Sequence, residues 1–417
     1  MDPAAANEMV PKNPWAPADG GFRAWLVVAA SFIIHGLVFG INLSYSVIYY
    51  ELQRILDSSG VTDTSYKTSL VGSLSLGMTF AFSALAGILI DRLGNRMTAI
   101  IGGSLALIGM LASSFVVQYV EALYFTYGIL FGCGASLSFN PSLSVLGLHF
   151  RRRIGLVCGI ATAGASVFTF ILPPVLGALI PSIGLDWTLR VVALLMIIII
   201  AVSFAYTVPE GANVGRTEEK KLKIESFLNV KIWKNKKFVI WTIGVPFAFF
   251  GYFVPFVHLV KFVSINFPGD DGKTLVMCIG VASAVGRVGF GLLSDHEKIN
   301  RVLLQQISLF LIGIFTMLLV PANAWIYMIL LCLGIGLADG CFISLIGPIA
   351  FDLCGPEGAA QAIGFVNGIS AISVTLGPTI AGKMFDHFNS YTVPFLLAGA
   401  PLILGSLGLF AIMFIKN

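Results

Sequence analysis

Long apolar segments alternate with short polar ones along almost the whole chain. Twelve of the apolar segments are about 20 or more residues long, the length at which an α-helix crosses the hydrocarbon core of a bilayer. We therefore predict twelve membrane-spanning helices, called span 1 to span 12, at 24–50, 68–90, 97–117, 121–148, 154–180, 187–207, 238–261, 274–293, 301–320, 324–350, 359–383 and 391–415.

One polar and basic segment interrupts this pattern and divides the chain into two halves of six predicted spans. "GILID" (Gly87–Asp91) closes an apolar span in the first half, and "GLLSD" (Gly291–Asp295) does so in the second. Internal duplication of this kind is typical of secondary transporters, whose halves move about a central site. We predict a cytoplasmic tail at 1–22, a six-helix half at 23–207, a cytoplasmic central loop at 208–237 and a second six-helix half at 238–417.

The composition supports a membrane protein and argues against several other classes. Of the 417 residues, 57% are hydrophobic and 11% are charged, whereas a soluble domain carries about 25% charged residues. The basic residues form no continuous stripe, which argues against a nucleic-acid partner. No nucleophile–base pair or metal cluster occurs at a useful spacing, so we expect neither an enzyme nor a cofactor site.

The distribution of basic residues predicts the orientation in the membrane. If both termini are cytoplasmic, 18 of the 25 Lys and Arg residues lie on the cytoplasmic side and six on the outer side. This bias follows the positive-inside rule and predicts cytoplasmic termini. The remaining basic residue, Arg287, lies inside the apolar sequence "GVASAVGRVGFGLLSD".

Arg287 is the most informative single residue of the sequence. An arginine at the bilayer centre costs about 2.5–3.5 kcal/mol on insertion scales, so its side chain faces a cavity or a partner. Its planar guanidinium matches the geometry of a carboxylate. Asp339 lies near the middle of span 10, and we expect the two side chains to face each other. A purely structural ion pair and a substrate-binding pair are both compatible with this pattern.

The segment "GILIDRLGNR" (Gly87–Arg96) resembles the loop motif of the major facilitator superfamily, Gly-x-x-x-Asp-Arg-x-Gly-x-Arg. We expect Asp91 to latch the cytoplasmic face in one conformation, and Arg92 and Arg96 to hold the loop on that side. Asp295 repeats the latch in the second half, but the Arg and Gly that should follow are missing, which predicts a weaker contact.

Two further motifs resemble the signatures of the monocarboxylate transporter family. "DGGFRAW" (Asp19–Trp25) is similar to the acidic-Gly-Gly-aromatic-x-Trp motif before the first helix, with one extra residue. "HFRRRIGLVCGIATAG" (His149–Gly164) is similar to the motif before the fifth helix, and we place its Arg153 among the gate residues. The resemblance covers essentially the whole chain. It implies an all-α, twelve-helix major facilitator fold with two pseudo-twofold halves, alternating access and a plasma-membrane location. It leaves open whether a single-span ancillary protein is needed.

Within that family, "LYFTYGILFGCG", "FVPFVHLVKF" and "DGCFISLIGPIAFDL" are most similar to the thyroid-hormone and aromatic-amino-acid branch. In that branch, residues that match Arg287, Asp339 and His258 are associated with substrate recognition. His258 is either a ligand contact or a packed histidine of span 7. The small-acid members place a phenylalanine near Gly347, so a glycine there predicts a wider cavity. The other candidate substrate-binding residues are Asn42, Tyr45 and Phe342.

The proton-coupled members carry an aspartate one helical turn before the arginine and a lysine in the first helix. This chain has Ser283 at the first position and Asn42-Leu43 at the second, although Asp339 or His258 remains available for proton transfer. We therefore predict facilitated diffusion of a bulky carboxylate, an aromatic amino acid or an iodothyronine. Proton-coupled symport of a small monocarboxylate and a non-transporting sensor remain as alternatives. A mid-span histidine, His35, either lines the pathway or packs within span 1.

Overall fold

The computed structural model describes residues 20–60, 62–150, 154–207, 230–294, 296, 299–410 and 412, without the side chains of 84, 91, 154–155, 230–231, 351 and 355–361. The regular structure within these ranges is helical throughout. The helices are Phe22–Leu43, Tyr45–Ser58, Thr64–Ala81, Ser83–Phe115, Val120–Leu123, Tyr124–Phe131 (a π-helix), Gly132–Ser144, Leu146–His149, Ile154–Ser203, Val230–Trp233, Lys236–Tyr252, Val254–Asn266, Gly272–Ser294, Arg301–Leu318, Trp325–Phe388 and Thr392–Leu409.

Ten stretches of the described chain are long and apolar enough to cross a membrane. One of them, Leu156–Ser203, is 48 residues long and covers most of span 5 and of span 6. Eleven of the predicted spans therefore overlap these stretches, and the structure is consistent with the predicted twelve-helix fold. The remaining one, span 2, occupies Thr64–Ala81 and the beginning of Ser83–Phe115.

Span 2 is less apolar than the others because it carries a row of small hydroxyl side chains. These side chains are buried, and several of them bond to carbonyls one turn earlier, as Ser73 Oγ does to the Ser69 carbonyl at 2.6 Å and Thr79 Oγ1 to the Ser75 carbonyl at 2.8 Å. A buried hydroxyl that has a hydrogen-bond partner does not need water. Span 2 therefore packs inside the protein, where lipid-like hydropathy is unnecessary.

Two glycines reverse the chain between neighbouring spans. Gly94 (φ 81°, ψ 164°) lies between spans 2 and 3, and Gly184 (φ 83°, ψ 164°) lies between spans 5 and 6. This backbone conformation is essentially restricted to glycine. In each case a threonine four residues later bonds to the glycine carbonyl, Thr98 at 2.9 Å and Thr188 at 2.7 Å.

Two pairs of helices make the most extensive contacts between the two halves. Span 2 contacts span 11, where the Ser73 and Thr379 hydroxyls lie 2.7 Å apart. Span 5 contacts span 8, where the Ser166 and Ser283 hydroxyls lie 2.8 Å apart. In the two halves of six spans, span 2 corresponds to span 8 and span 5 corresponds to span 11. Exchange of the halves therefore converts one pair into the other. The interface therefore has the pseudo-twofold arrangement that inverted or repeated transporter halves produce.

Twelve crossings return the chain to the side of the membrane on which it started. We call this side, where span 1 begins at Phe22 and span 12 ends near Leu409, the terminal face. The other side, where span 1 ends at Ser58, is called the opposite face. Most of the predicted tail and most of the predicted central loop lie outside the described residues.

Candidate functional site

Arg287 and Asp339 form a buried ion pair in the second half. The Arg287 Nη2 atom lies 3.5 Å from Asp339 Oδ2, and the two side chains are 6% and 5% exposed. Arg287 belongs to the helix Gly272–Ser294, about 22 Å from its first residue and about 10 Å from its last at 1.5 Å per residue. The pair is thus deep within the protein, toward the terminal face.

Ser283 and Tyr252 complete the hydrogen bonding of this pair. Tyr252 Oη donates to Asp339 Oδ1, and Ser283 Oγ donates to Asp339 Oδ2. Ser283 Oγ also accepts a hydrogen bond from Arg287 Nε at 3.2 Å. Because the Ser283 proton is directed to Asp339, Ser166 is the donor in the 2.8 Å contact between the two serines. Buried charges that are paired and hydrogen-bonded in this way avoid most of the cost of leaving water.

The same arginine also contacts the other half of the molecule. Arg287 Nη1 donates to the Thr162 carbonyl at 2.7 Å. Thr162 lies in span 5, within the sequence "GIATAG". This hydrogen bond therefore joins span 8 to span 5 across the interface between the halves.

Aromatic rings connect this charged site to the first half. Beside Asp339, the Tyr252 ring centroid lies 5.5 Å from that of Phe342 and 4.8 Å from that of Phe253. Phe253 is in turn 6.4 Å from Phe80 of span 2. We call the continuous row of rings the aromatic belt, and its members are Phe39, Phe80, Phe139, Phe249, Tyr252, Phe253 and Phe342.

The other candidate residues of span 10 follow Asp339 toward the terminal face. Phe342 is fully buried about one turn from Asp339 and packs against Tyr252 and Phe249. Gly347 lies about two turns from Asp339, where an added Cβ atom would meet no described atom within 4 Å. A larger side chain at this position would therefore project into open space.

His258 belongs to a different cluster, in the half of the bundle nearer the opposite face. Its Nε2 atom lies 2.9 Å from the Pro378 carbonyl and 3.3 Å from Ser69 Oγ, and its Nδ1 atom lies 3.2 Å from Tyr391 Oη. The Tyr49 ring contacts the imidazole edge at a centroid distance of 5.0 Å. The structure thus places His258 in the seam between the halves, not in the hydrogen-bonding network of Arg287 and Asp339.

Asn42 and Tyr45 are packed within the first half. Asn42 donates to the Val38 carbonyl at 2.8 Å and accepts from Ser75 Oγ at 2.9 Å, which ties span 1 to span 2. Tyr45 donates to the Thr68 carbonyl at 2.7 Å, and its ring covers Gly72. The structure does not bring either side chain into the Arg287 network, so the expectation that they contact the ligand remains only a prediction.

The predicted gate is only partly described. Arg153, Asp295 and the side chain of Asp91 lie outside the described residues. Arg92 is exposed, and the Arg96 guanidinium lies 4.6 Å from the centroid of the Phe204 ring. Arg96 therefore stacks on the end of span 6 at the terminal face, which fixes the loop between spans 2 and 3 against its own half.

Sequence reasoning identified the charged pair but missed Tyr252 and the aromatic belt. Tyr252 lies six residues before His258 in a run of aromatic residues, and nothing in that run indicates which ring faces Asp339. The sequence shows Ser283 where the proton-coupled members have an aspartate, but the position of Ser283 between Arg287 and Asp339 depends on how spans 8 and 10 pack. The sequence feature that indicates a role for Ser283 is a polar residue one helical turn from a buried arginine.

Comparisons with known proteins give consistent matches over these helices. The Major Facilitator Superfamily profile matches residues 27–338. The chain is 41% identical over 415 residues to Monocarboxylate transporter 10 of Danio rerio, which covers 99% of this chain and 82% of that protein. It is 40% identical over 407 residues to Monocarboxylate transporter 10 of Homo sapiens, covering 95% and 79%. For Monocarboxylate transporter 3 of Rattus norvegicus the identity is 29% over 409 residues, covering 94% and 80%.

Proposed function

Because the chain belongs to the monocarboxylate transporter family of the major facilitator superfamily, we propose that it carries aromatic amino acids or iodothyronines across the membrane by alternating access. Membership of this family makes the chain a multi-pass membrane protein and a secondary transporter, not an enzyme. The proposal concerns the substrate class and the residues that bind it.

The proposal rests on one observation, the buried Arg287–Asp339 pair at the end of the aromatic belt. Arg287 supplies a bidentate donor for a carboxylate, and Asp339 supplies an acceptor for an ammonium group. An amino acid presents both charges on neighbouring atoms. The belt supplies apolar and aromatic surface for a ring, and aromatic pairs add about 0.5–1.5 kcal/mol beyond the area that they bury.

In this proposal the substrate replaces protein contacts with equivalent ones. Its carboxylate takes the place of the Thr162 carbonyl at Arg287 Nη1, and its ammonium group joins Tyr252 and Ser283 at the Asp339 carboxylate. The site stays close to neutral when a zwitterion binds, which limits the cost of burying the substrate charges. The loss of the contact with Thr162 releases span 8 from span 5 and allows the halves to move.

The conformation described here supports a cycle that opens alternately to the two faces. At the opposite face, Asp386 of span 11 accepts hydrogen bonds from the Ser65 and Tyr66 amides at the beginning of span 2, at 3.2 and 2.8 Å. Toward the terminal face, Gly347 adjoins open space. We infer that this is the state in which the site is reached from the terminal face, which the distribution of basic residues assigns to the cytoplasm.

Two features of the proposal concern the cell. We propose that the protein functions in the plasma membrane with both termini in the cytoplasm, as the family resemblance and the charge bias imply. An ancillary single-span protein for delivery to that membrane is compatible with the proposal.

Counterflow in proteoliposomes tests the substrate class. Vesicles that contain the purified protein are loaded with unlabelled tyrosine, tryptophan, an iodothyronine or lactate, and uptake of the labelled compound is measured. We expect counterflow with the aromatic compounds and its loss in Arg287→Ala. The matched control is Arg190→Ala, because Arg190 stacks on Trp187 and pairs with Asp186 far from the site. Counterflow of lactate alone would favour the small-monocarboxylate alternative, and binding without counterflow would favour a sensor.

A further inference from the structure

His35 carries a buried polar atom that is unpaired in the described structure. The residue is 2% exposed and lies on span 1, with its ring edge-to-face against Phe139 at 5.2 Å and stacked on Phe39 at 5.8 Å. Its Nε2 atom makes no hydrogen bond with any residue that the structure describes. Phe39 and Phe139 are the members of the aromatic belt furthest along it from Asp339.

A histidine that serves only for packing has a different pattern. Buried polar atoms in folded proteins nearly always have a partner, and each exception requires an explanation. His258 shows the usual pattern, because both of its ring nitrogens face hydrogen-bonding atoms. At the position of His35, a leucine or phenylalanine would pack against the two phenylalanines without leaving a nitrogen unpaired. The Nε2 atom is therefore available to a partner that is not part of the chain.

Ring contacts connect His35 to the Arg287–Asp339 pair. These contacts join it to the aromatic belt, which leads through Phe80 and Phe253 to Tyr252, the donor to Asp339. Span 1 and span 4, which carry His35 and Phe139, belong to the first half, whereas Arg287 and Asp339 belong to the second. A ligand held by the charged pair would extend along the belt toward His35.

We propose that His35 binds a hydrogen-bonding substituent at the far end of the substrate ring, as in the phenol of a tyrosine-like ligand, beside the Phe39 and Phe139 rings that it contacts. A phenol both donates and accepts hydrogen bonds, and a neutral imidazole can do the same through its two nitrogens. This inference rests on the proposed function and deepens it, because it assigns the specificity among aromatic amino acids to one residue.

The inference predicts discrimination by a single hydroxyl group. A site built to hydrogen-bond a ligand disfavours an analogue that leaves the site's polar atom unpaired. We expect the wild-type protein to transport tyrosine with a kcat/KM above that of 4-methylphenylalanine, which has a similar size and no hydroxyl. One hydrogen bond corresponds to a ratio of about threefold to tenfold.

The test measures this ratio in proteoliposomes for the wild type, His35→Leu and His35→Gln. We expect His35→Leu to lower the ratio to near one while 4-methylphenylalanine is still transported. Glutamine places an amide nitrogen near the position of Nε2, so we expect His35→Gln to restore part of the preference. A purely structural role would instead change transport of both compounds in parallel.

The possible failures are distinguishable. If wild-type protein transports both compounds equally well, or if His35→Leu keeps the wild-type ratio, the role of His35 is refuted and the proposed function stands. If no aromatic amino acid shows counterflow in the wild type, the proposed function itself fails. Should His35→Leu not fold, the ratio in the wild type and in His35→Gln still decides, because equal transport of both compounds in either refutes the inference.

Discussion

Asp339 accepts hydrogen bonds on both carboxylate oxygens, and their donors come from spans 7 and 8. The bond from Tyr252 fixes Oδ1, whereas Ser283 and Arg287 share Oδ2. Tyr252→Phe removes the first bond and leaves the ring in place. Hydrogen bonds to charged groups contribute about 1.5–3 kcal/mol, so we expect KM for the amino acid to rise by about tenfold to a hundredfold with a smaller effect on kcat.

Uptake kinetics at several substrate concentrations, normalised to the amount of folded protein, measure this effect. Tyr206→Phe is the matched control, because the Tyr206 hydroxyl bonds to Ser31 at 3.3 Å outside the site. An unchanged KM in Tyr252→Phe would show that the orientation of Asp339 does not depend on this tyrosine.

The charged pair itself predicts a difference between single and double substitution. Asp339→Asn leaves the Arg287 guanidinium buried beside a neutral group, and removal of one partner from a buried pair costs about 3–5 kcal/mol. We expect a clear fall in the Tm of the detergent-solubilised protein. The double variant Arg287→Gln with Asp339→Asn should recover much of that Tm and still fail to transport.

This double variant separates stability from function. If it transported aromatic amino acids as the wild type does, the pair would have a structural role only, which is the alternative that the sequence left open. If it were as unstable as the single variant, the lost Tm would not come from an uncompensated charge.

At the level of single helices, the lengths of the apolar segments predicted most of the fold. The helix that they predict least well, span 2, departs from the pattern for a physical reason. Span 2 is the instructive case, because its buried serines and threonines pair with its own carbonyls and with span 11. The Arg287–Asp339 contact was predictable, since an arginine in an apolar segment needs a partner and few acids were available. The positions of His258 and Tyr45 were not, because they depend on the rotation of each helix about its axis.

At the level of helix pairs, Gly77 controls how closely span 2 approaches span 11. A Cβ atom at this position would overlap Thr375 Oγ1 and would lie 3.2 Å from the Ala371 carbonyl. Overpacking costs about 1–3 kcal/mol, so Gly77→Ala should separate these helices and shift the equilibrium away from the described conformation by about fivefold or more.

Thiol labelling detects this shift. The variant Thr379→Cys places a thiol next to Ser73 in the seam. This thiol should react with a membrane-impermeant maleimide from the opposite face faster when the protein also carries Gly77→Ala than when Gly77 is retained. Gly147→Ala is the control, because an added Cβ atom there meets no described atom within 4 Å. Equal labelling rates in both backgrounds would exclude Gly77 as a determinant of the seam.

Across the whole molecule, the conformational cycle and the absence of proton coupling are both explained by the same few atoms. Ser283 links Asp339, Arg287 and, through Ser166, the first half. Its hydroxyl does not titrate in the physiological range, whereas proton coupling needs a group whose protonation follows the substrate. We therefore expect the initial rate of tyrosine uptake to be the same with and without an inward proton gradient.

The variant Ser283→Asp should introduce the missing dependence. It places a second carboxylate beside Asp339, and two adjacent carboxylates hold a proton because both cannot ionise at close range. We expect uptake by this variant to rise as the outside is acidified and to acidify the vesicle interior, which a pH-sensitive dye trapped in the lumen measures. If the wild-type protein already accumulates tyrosine against its gradient under an inward proton gradient, the transporter is a symporter, and the proton moves through Asp339 or another group of the site.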